Sequence, residues 1–206
     1  VIQPSLEERE FRHPLLEERE VKSRGVLIVS SDKGLCGGLN ANLFRKLTEE
    51  IPSESARFVT IGRKATQFLA RTGRNCIADF TVSDRIRFQE VRPAIELLLD
   101  SFRKGEVDTI EVLYTQFINN LKQSPVLVRI VPVTDLESFL GHFEAVKDYT
   151  SEPPIAEDSR PFRFEPPPEQ ILDSLLDLFV KREVFQKVLE AKASEHSARM
   201  VAMKTA

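Results

Sequence analysis

Ser30-Ser31-Asp32-Lys33-Gly34-Leu35-Cys36-Gly37-Gly38-Leu39-Asn40 joins two runs of opposite character. Before it stands an apolar, largely β-branched run, Val26-Leu27-Ile28-Val29. After it, Leu39, Leu43, Phe44, Leu47 and Ile51 recur at helical spacing. A strand that feeds a glycine-rich turn and then a helix is the usual opening of an α/β sheet.

The chain downstream repeats that alternation. Residues 26–30 read as a strand and 39–50 as a helix ended by Pro52 and Ser53. Residues 57–61 form a second strand, and Gly62 turns it into a helix over 64–71 with Ala65, Phe68 and Leu69 on one face. Gly73 stops that helix, and 75–82 is a third extended run. Val91, Ile95, Leu98, Leu99 and Phe102 set a helix over 89–104, closed by Gly105, with Pro93 tolerated in its first turn. Strands follow at 109–115 and 126–133, the latter with imperfect alternation and hence at an edge. The expected fold is α/β: a Rossmann-like, mostly parallel sheet with helices on both faces.

The two ends differ from this middle. Residues 1–24 are charged and broken by Pro4 and Pro14, and read as a solvated linker. Residues 135–168 are bracketed by prolines and read as a long surface loop with one short strand, Phe162-Arg163-Phe164. From Pro168 to the end there is no further proline or glycine, so one helix is expected, about 55–60 Å long at about 1.5 Å per residue. Large apolar residues fill its first half, Ile171 to Leu189; Ala191, Ala193, Ala198, Ala202, Met200 and Met203 dominate its second. A domain of this size is about 35 Å across, so the second half is expected to project and to need a helical partner in a coiled coil. The organisation expected is therefore 1–24 linker, 25–168 globular domain and 169–206 projecting helix. The absence of an initiator Met suggests an interior piece of a longer chain.

The totals exclude several classes. A net charge of −3 gives no bulk attraction to nucleic acid or anionic lipid. No apolar run approaches the roughly 20 residues that span a bilayer. The two cysteines, Cys36 and Cys76, make no disulfide framework, which leaves a reducing, intracellular compartment as the expectation.

The glycine stretch invites a phosphate-binding reading and fails its positional tests. A dinucleotide fingerprint needs glycines at the first, third and sixth positions; from Gly34 these are Cys36 and Leu39. A P-loop needs Gly-Lys-Ser/Thr, whereas Gly38 is followed by Leu39-Asn40. No acidic residue closes the second strand; Ile61 is followed by Gly62-Arg63-Lys64. The structural alternative is a turn in which Gly34, Gly37 and Gly38 permit positive φ and close strand–helix packing. Cys36 before a helix N-terminus could be a reactive thiol, but His13, His142 and His196 lie in contexts that offer it no base; small-residue packing is the plainer role. No cluster has metal-ligand spacing. Catalytic, cofactor and metal residues are all expected to be absent. The second function kept open is a small nucleotide-dependent enzyme of Rossmann-like fold using Cys36.

The same stretch resembles the most characteristic segment of the γ subunits of F-type ATP synthases. Further matches follow in order: Ile61-Gly62-Arg63-Lys64, Phe117-Ile118-Asn119-Asn120, Gln123-Ser124-Pro125, Phe164-Glu165-Pro166, and the run from Ala193-Ser194-Glu195-His196 to Met203-Lys204. The resemblance implies a Rossmann-like foot flanked by two long helices in an antiparallel coiled coil, of which this chain would carry only part of the C-terminal one. It implies a rotor that couples proton flow through the c-ring to ATP synthesis on the α/β hexamer, peripheral to the membrane, with α, β, ε and the c-ring as partners. A bacterial plasma membrane, cytoplasmic face, is the location expected. Carried over residue by residue, Glu195 and Arg199 match positions that touch the β subunit's catch loop. Phe162, Phe164 and Glu165 match the foot that meets the c-ring and ε.

Overall fold

The structure is a computed structural model and describes residues 13–52, 56–134 and 168–205. Its elements run β1 (Arg24–Val29), α1 (Leu39–Glu50), β2 (Ala56–Ile61), α2 (Arg63–Thr72), β3 (Cys76–Phe80), α3 (Phe88–Arg103), β4 (Thr109–Phe117), β5 (Gln123–Val131) and α4 (Pro168–Thr205). The five strands lie in the order β3-β2-β1-β4-β5. The pairs β3·β2, β2·β1 and β1·β4 are parallel, and β5 is an antiparallel edge strand on β4. The expected mostly parallel sheet is therefore present, with its edge strand as read.

Strand alternation sends side chains to two separate cores. Val26, Ile28, Phe58 and Leu113 face α1 and α2, meeting Leu43, Leu47, Ala65 and Leu69. Leu27, Val29, Val59, Val112 and Tyr114 face the other way, onto α3 and α4. There Leu98, Leu99 and Phe102 of α3 join Leu176, Val180, Val184 and Val188 of α4. The fully buried Leu27, Ile28 and Phe58 show why β1 and β2 read as continuous apolar runs: both faces are covered.

Three local expectations change. Pro93 lies in the second turn of α3, not the first, because the helix begins at Phe88. It is tolerated since Pro93 and Gln89 both face solvent, where water can serve the Gln89 carbonyl that loses its donor. The 13–24 segment is no solvated linker. Leu15 is fully buried, its carbonyl accepts a 2.7 Å hydrogen bond from the Val133 N–H, and Arg19 lies over the Phe102 ring. One apolar residue inside a charged run is enough to anchor it, and composition hides such a residue. Finally, α4 stays on the sheet further than expected. Ala191, Ser194, Glu195 and Ser197 are all buried, and only the last two turns, with Met200 and Met203 exposed, leave the surface. The expected loop at 135–167, with its strand at Phe162-Arg163-Phe164, lies outside the described residues, as do residues 1–12.

Candidate functional site

The turn after β1 is held by side-chain bonds, most of them from Asn40, with Ser31 Oγ donating to the Lys33 carbonyl at 2.7 Å. Asn40 Oδ1 accepts from the Ser31 N–H at 3.3 Å, and Asn40 Nδ2 donates to Ser31 Oγ at 2.8 Å and to Cys36 Sγ at 3.3 Å. Cys36 is buried beneath this staple. Of the three glycines expected to need positive φ, only Gly37 has it, at +57°, while Leu35 adopts +63° without being glycine. A Cβ on Gly34 or Gly37 would meet no atom within 4 Å, so close packing is not their role. The close approach is at Gly62, where φ is +98° and a Cβ would stand 2.1 Å from the Ser30 carbonyl oxygen. The reason is topological: Gly62 ends β2 beside the end of β1, and two backbones touch there.

Strand order reverses between β1 and β4, and in open α/β sheets that is where a ligand crevice opens at the strands' C-terminal ends. Here α4 lies in that place. Val188, Ala191, Lys192 and Glu195 meet Ser30 and Thr115, leaving a cavity of about 20 Å³, room for one water rather than a nucleotide. Among the described residues no group of three or more His, Cys, Asp and Glu could hold a metal.

On α4, Glu195 and Arg199 come together. Glu195 Oε1 accepts from Arg199 Nη2 at 2.7 Å across one turn. The other carboxylate oxygen pairs with Lys192 Nζ at 3.1 Å, and Lys192 also reaches Asp84, in the loop after β3, at 3.3 Å. Lys192 holds the Asp84 carboxyl below its usual range, first by hydrogen bonding and then by charge. Glu195 is almost wholly covered, with 6% of its side chain exposed, against 20% for Arg199. A carboxylate so buried is satisfied by its own helix, and the guanidinium is the member of the pair that still reaches solvent. Phe162, Phe164 and Glu165 lie outside the described residues.

Two serines that the sequence reading passed over also act here. Ser194 Oγ donates to the Thr115 carbonyl at 2.9 Å, and Ser197 Oγ to the Asn120 carbonyl at 3.0 Å. The signal available was position: both continue the buried face of α4 after its large apolar residues stop, where a small polar residue implies a tertiary partner. Beside them a groove of about 560 Å³ runs between the Cys36–Gly38 turn, the β4–β5 hairpin at Leu121 and Pro125, and Ala198 and Val201 of α4. Leu35 and Leu121 stand exposed, 75% and 86%. Among the described residues no helix is long and apolar enough to cross a membrane.

Comparison with known proteins agrees with this arrangement. The family described as ATP synthase matches residues 2–206. The ATP synthase gamma chain of Opitutus terrae is 46% identical over 197 residues, covering 96% of this chain and 66% of its own length. That of Cupriavidus necator is 39% identical over 203 residues, with 96% and 66% covered. The chain thus spans about two thirds of the relatives it matches. In fold it is similar to a chain from the central stalk and c-ring of the Tetrahymena thermophila mitochondrial ATP synthase, with a TM-score of 0.70, 21% identity, and 99% of this chain and 85% of that one covered. A chain from the rotor of the Euglena gracilis mitochondrial ATP synthase gives a TM-score of 0.62 at 17% identity, with 96% and 71% covered. A family match along almost the whole length, and γ chains as relatives, place this chain in the ATP synthase γ-chain family.

Proposed function

We propose that the chain is the foot and lower shaft of a central-stalk rotor, which mechanically couples proton flow through the c-ring to ATP synthesis on the α/β hexamer. The carrying observation is that α4 occupies the crevice where a Rossmann-like enzyme would hold its nucleotide. The fold's ligand position serves instead to grip a shaft. In this reading the chain has no catalytic site of its own. Torque passes from foot to helix, and the helix surface biases the nucleotide affinities of its partners by different contacts in different orientations. Arg199, the outward member of its ion pair, takes the catch-loop contact on β, with Glu195 behind it. Phe162, Phe164 and Glu165 take the contacts with the c-ring and ε. The groove beside α4, of mixed polar and apolar lining, receives the second helix of the coiled coil, and the subunit sits peripherally on the cytoplasmic face of a bacterial plasma membrane.

Two measurements test this. A pull-down with α, β, ε and c subunits is expected to retain the chain. Calorimetric titration with ATP or NAD(P) is expected to give no heat. Micromolar nucleotide binding with no subunit retained would replace the rotor reading by the enzyme one.

A further inference from the structure

Thr115 near the end of β4 has a carbonyl that the sheet does not serve. Pairing of β4 with β1 ends at Leu113, opposite Ile28. Thr115 aims its carbonyl to the same side as Leu113, toward β1, where the next N–H along, that of Ser31, turns instead to Asn40 Oδ1 at 3.3 Å. The donor comes from Ser194 of α4, at 2.9 Å and fully buried. One turn later Ser197 divides its proton between the Asn120 carbonyl at 3.0 Å and the Asn120 side-chain oxygen at 3.3 Å, in the hairpin that leads from β4 to β5. A buried main-chain oxygen needs a donor, and here a helix supplies it in place of a strand.

These bonds fall where packing loses its grip. Between Leu176 and Val188 the buried face of α4 carries branched side chains that interlock with the sheet. From Ala191 onward it carries Ala191, Ser194 and Ser197, small residues that give a smoother surface, with Glu195 as the one large buried side chain among them. A smooth helix can slide or roll at little cost in contact, whereas hydrogen bonds to two fixed carbonyls allow one axial position and one rotation. Glu195 and Arg199 lie within this same stretch, so whatever fixes its rotation aims the guanidinium.

We infer that Ser194 and Ser197 are positioning residues that latch α4 to the β4–β5 hairpin, fix the register of the helix on the foot, and so direct Arg199. The latch rests on the rotor reading for its consequence, but not for its geometry. Its carbonyl partners belong to the foot and its hydroxyls to the shaft, so it spans the joint across which torque must pass.

The test uses a complete ATP synthase assembled with the full-length γ subunit carrying this sequence. The S194A/S197A variant is compared with wild type for hydrogen exchange over residues 191–199, ATP hydrolysis, and ATP-driven proton pumping into vesicles. Exchange is expected to speed up at least tenfold there, hydrolysis to stay within about twofold, and pumping per ATP hydrolysed to fall three- to tenfold. The S197T variant, which keeps the hydroxyl, is expected to pump like wild type. If the double variant does not assemble, S197A alone is read in the same three assays, with smaller changes in the same direction. Unchanged exchange overturns the latch itself. Faster exchange with an unchanged ratio of pumping to hydrolysis overturns its role in positioning. A wild-type complex that hydrolyses ATP without pumping would instead count against the rotor reading, and the exchange result would still decide the latch.

Discussion

Glu195 and Arg199 stand one turn apart on α4 with oxygen and nitrogen 2.7 Å apart, the carboxylate buried and the guanidinium at the surface. The two members of this pair therefore differ in what their loss does. Glu195→Gln leaves Lys192 and Arg199 crowded around a neutral amide, and is expected to cost about 1–3 kcal/mol of stability. Arg199→Ala leaves Glu195 with Lys192 and should cost less than about 1 kcal/mol. Urea unfolding of the two variants checks the order; an Arg199→Ala cost equal to or above that of Glu195→Gln would contradict it.

The two positive-φ glycines flanking β1 and β2 are predicted to separate cleanly. Gly62→Ala drives a methyl into the Ser30 carbonyl at 2.1 Å in a left-handed conformation, and is expected to cost about 3 kcal/mol or more. Gly37→Ala meets open space and carries only the left-handed penalty, about 1–2 kcal/mol. Denaturant midpoints of both variants decide this.

That contrast also marks what the sequence could reveal. The alternation of elements, their helical spacing and the edge position of β5 were legible because hydrophobic period and glycine stops are local signals. The glycine that matters most was not among those singled out in the SSDKGLCGGLN stretch, because Gly62 answers to a backbone thirty-two residues earlier. Likewise the buried anchor Leu15 and the serine latch on α4 depend on partners in β4 and beyond, which no local pattern reports. Glu195 and Arg199 are singled out by resemblance alone, whereas their unequal burial is a property of the fold.

Glu111, on β4, carries a pH signature. Its carboxyl is buried between Arg24 at 3.6 Å and Arg129 at 3.9 Å, too long for good hydrogen bonds, and one oxygen has no hydrogen-bond partner. Burial pushes its pKa above the usual carboxylate value of 4.5 despite both arginines. The folded protein thus holds this proton more tightly than the unfolded chain. The contribution of Glu111 to stability is complete below the unfolded pKa and is lost as pH rises from about 4.5 through the raised folded value. Glu111→Gln is expected to remove that slope and leave stability at pH 7 unchanged or raised by up to about 1 kcal/mol. Unfolding free energies across pH 4–8 test it; a Gln variant weaker at pH 7 by several kcal/mol would contradict the account.

Thr115 has a satisfied carbonyl but a buried hydroxyl with no hydrogen-bond partner. Thr115→Val keeps the shape and removes the orphan, so it is expected to be neutral or stabilising by up to about 1 kcal/mol. Thermal unfolding in which the valine variant loses more than that would mean a partner, such as a water in the small cavity beside it, serves the hydroxyl.

The central claim is that this chain transmits force through the surface of α4. ATP synthesis by reconstituted proton-driven vesicles, with wild-type γ subunit against Arg199→Ala, tests it most directly. The account predicts that the variant assembles, keeps its globular fold, and synthesises ATP at a rate at least several-fold lower. Synthesis at the wild-type rate in a fully assembled Arg199→Ala complex would contradict it.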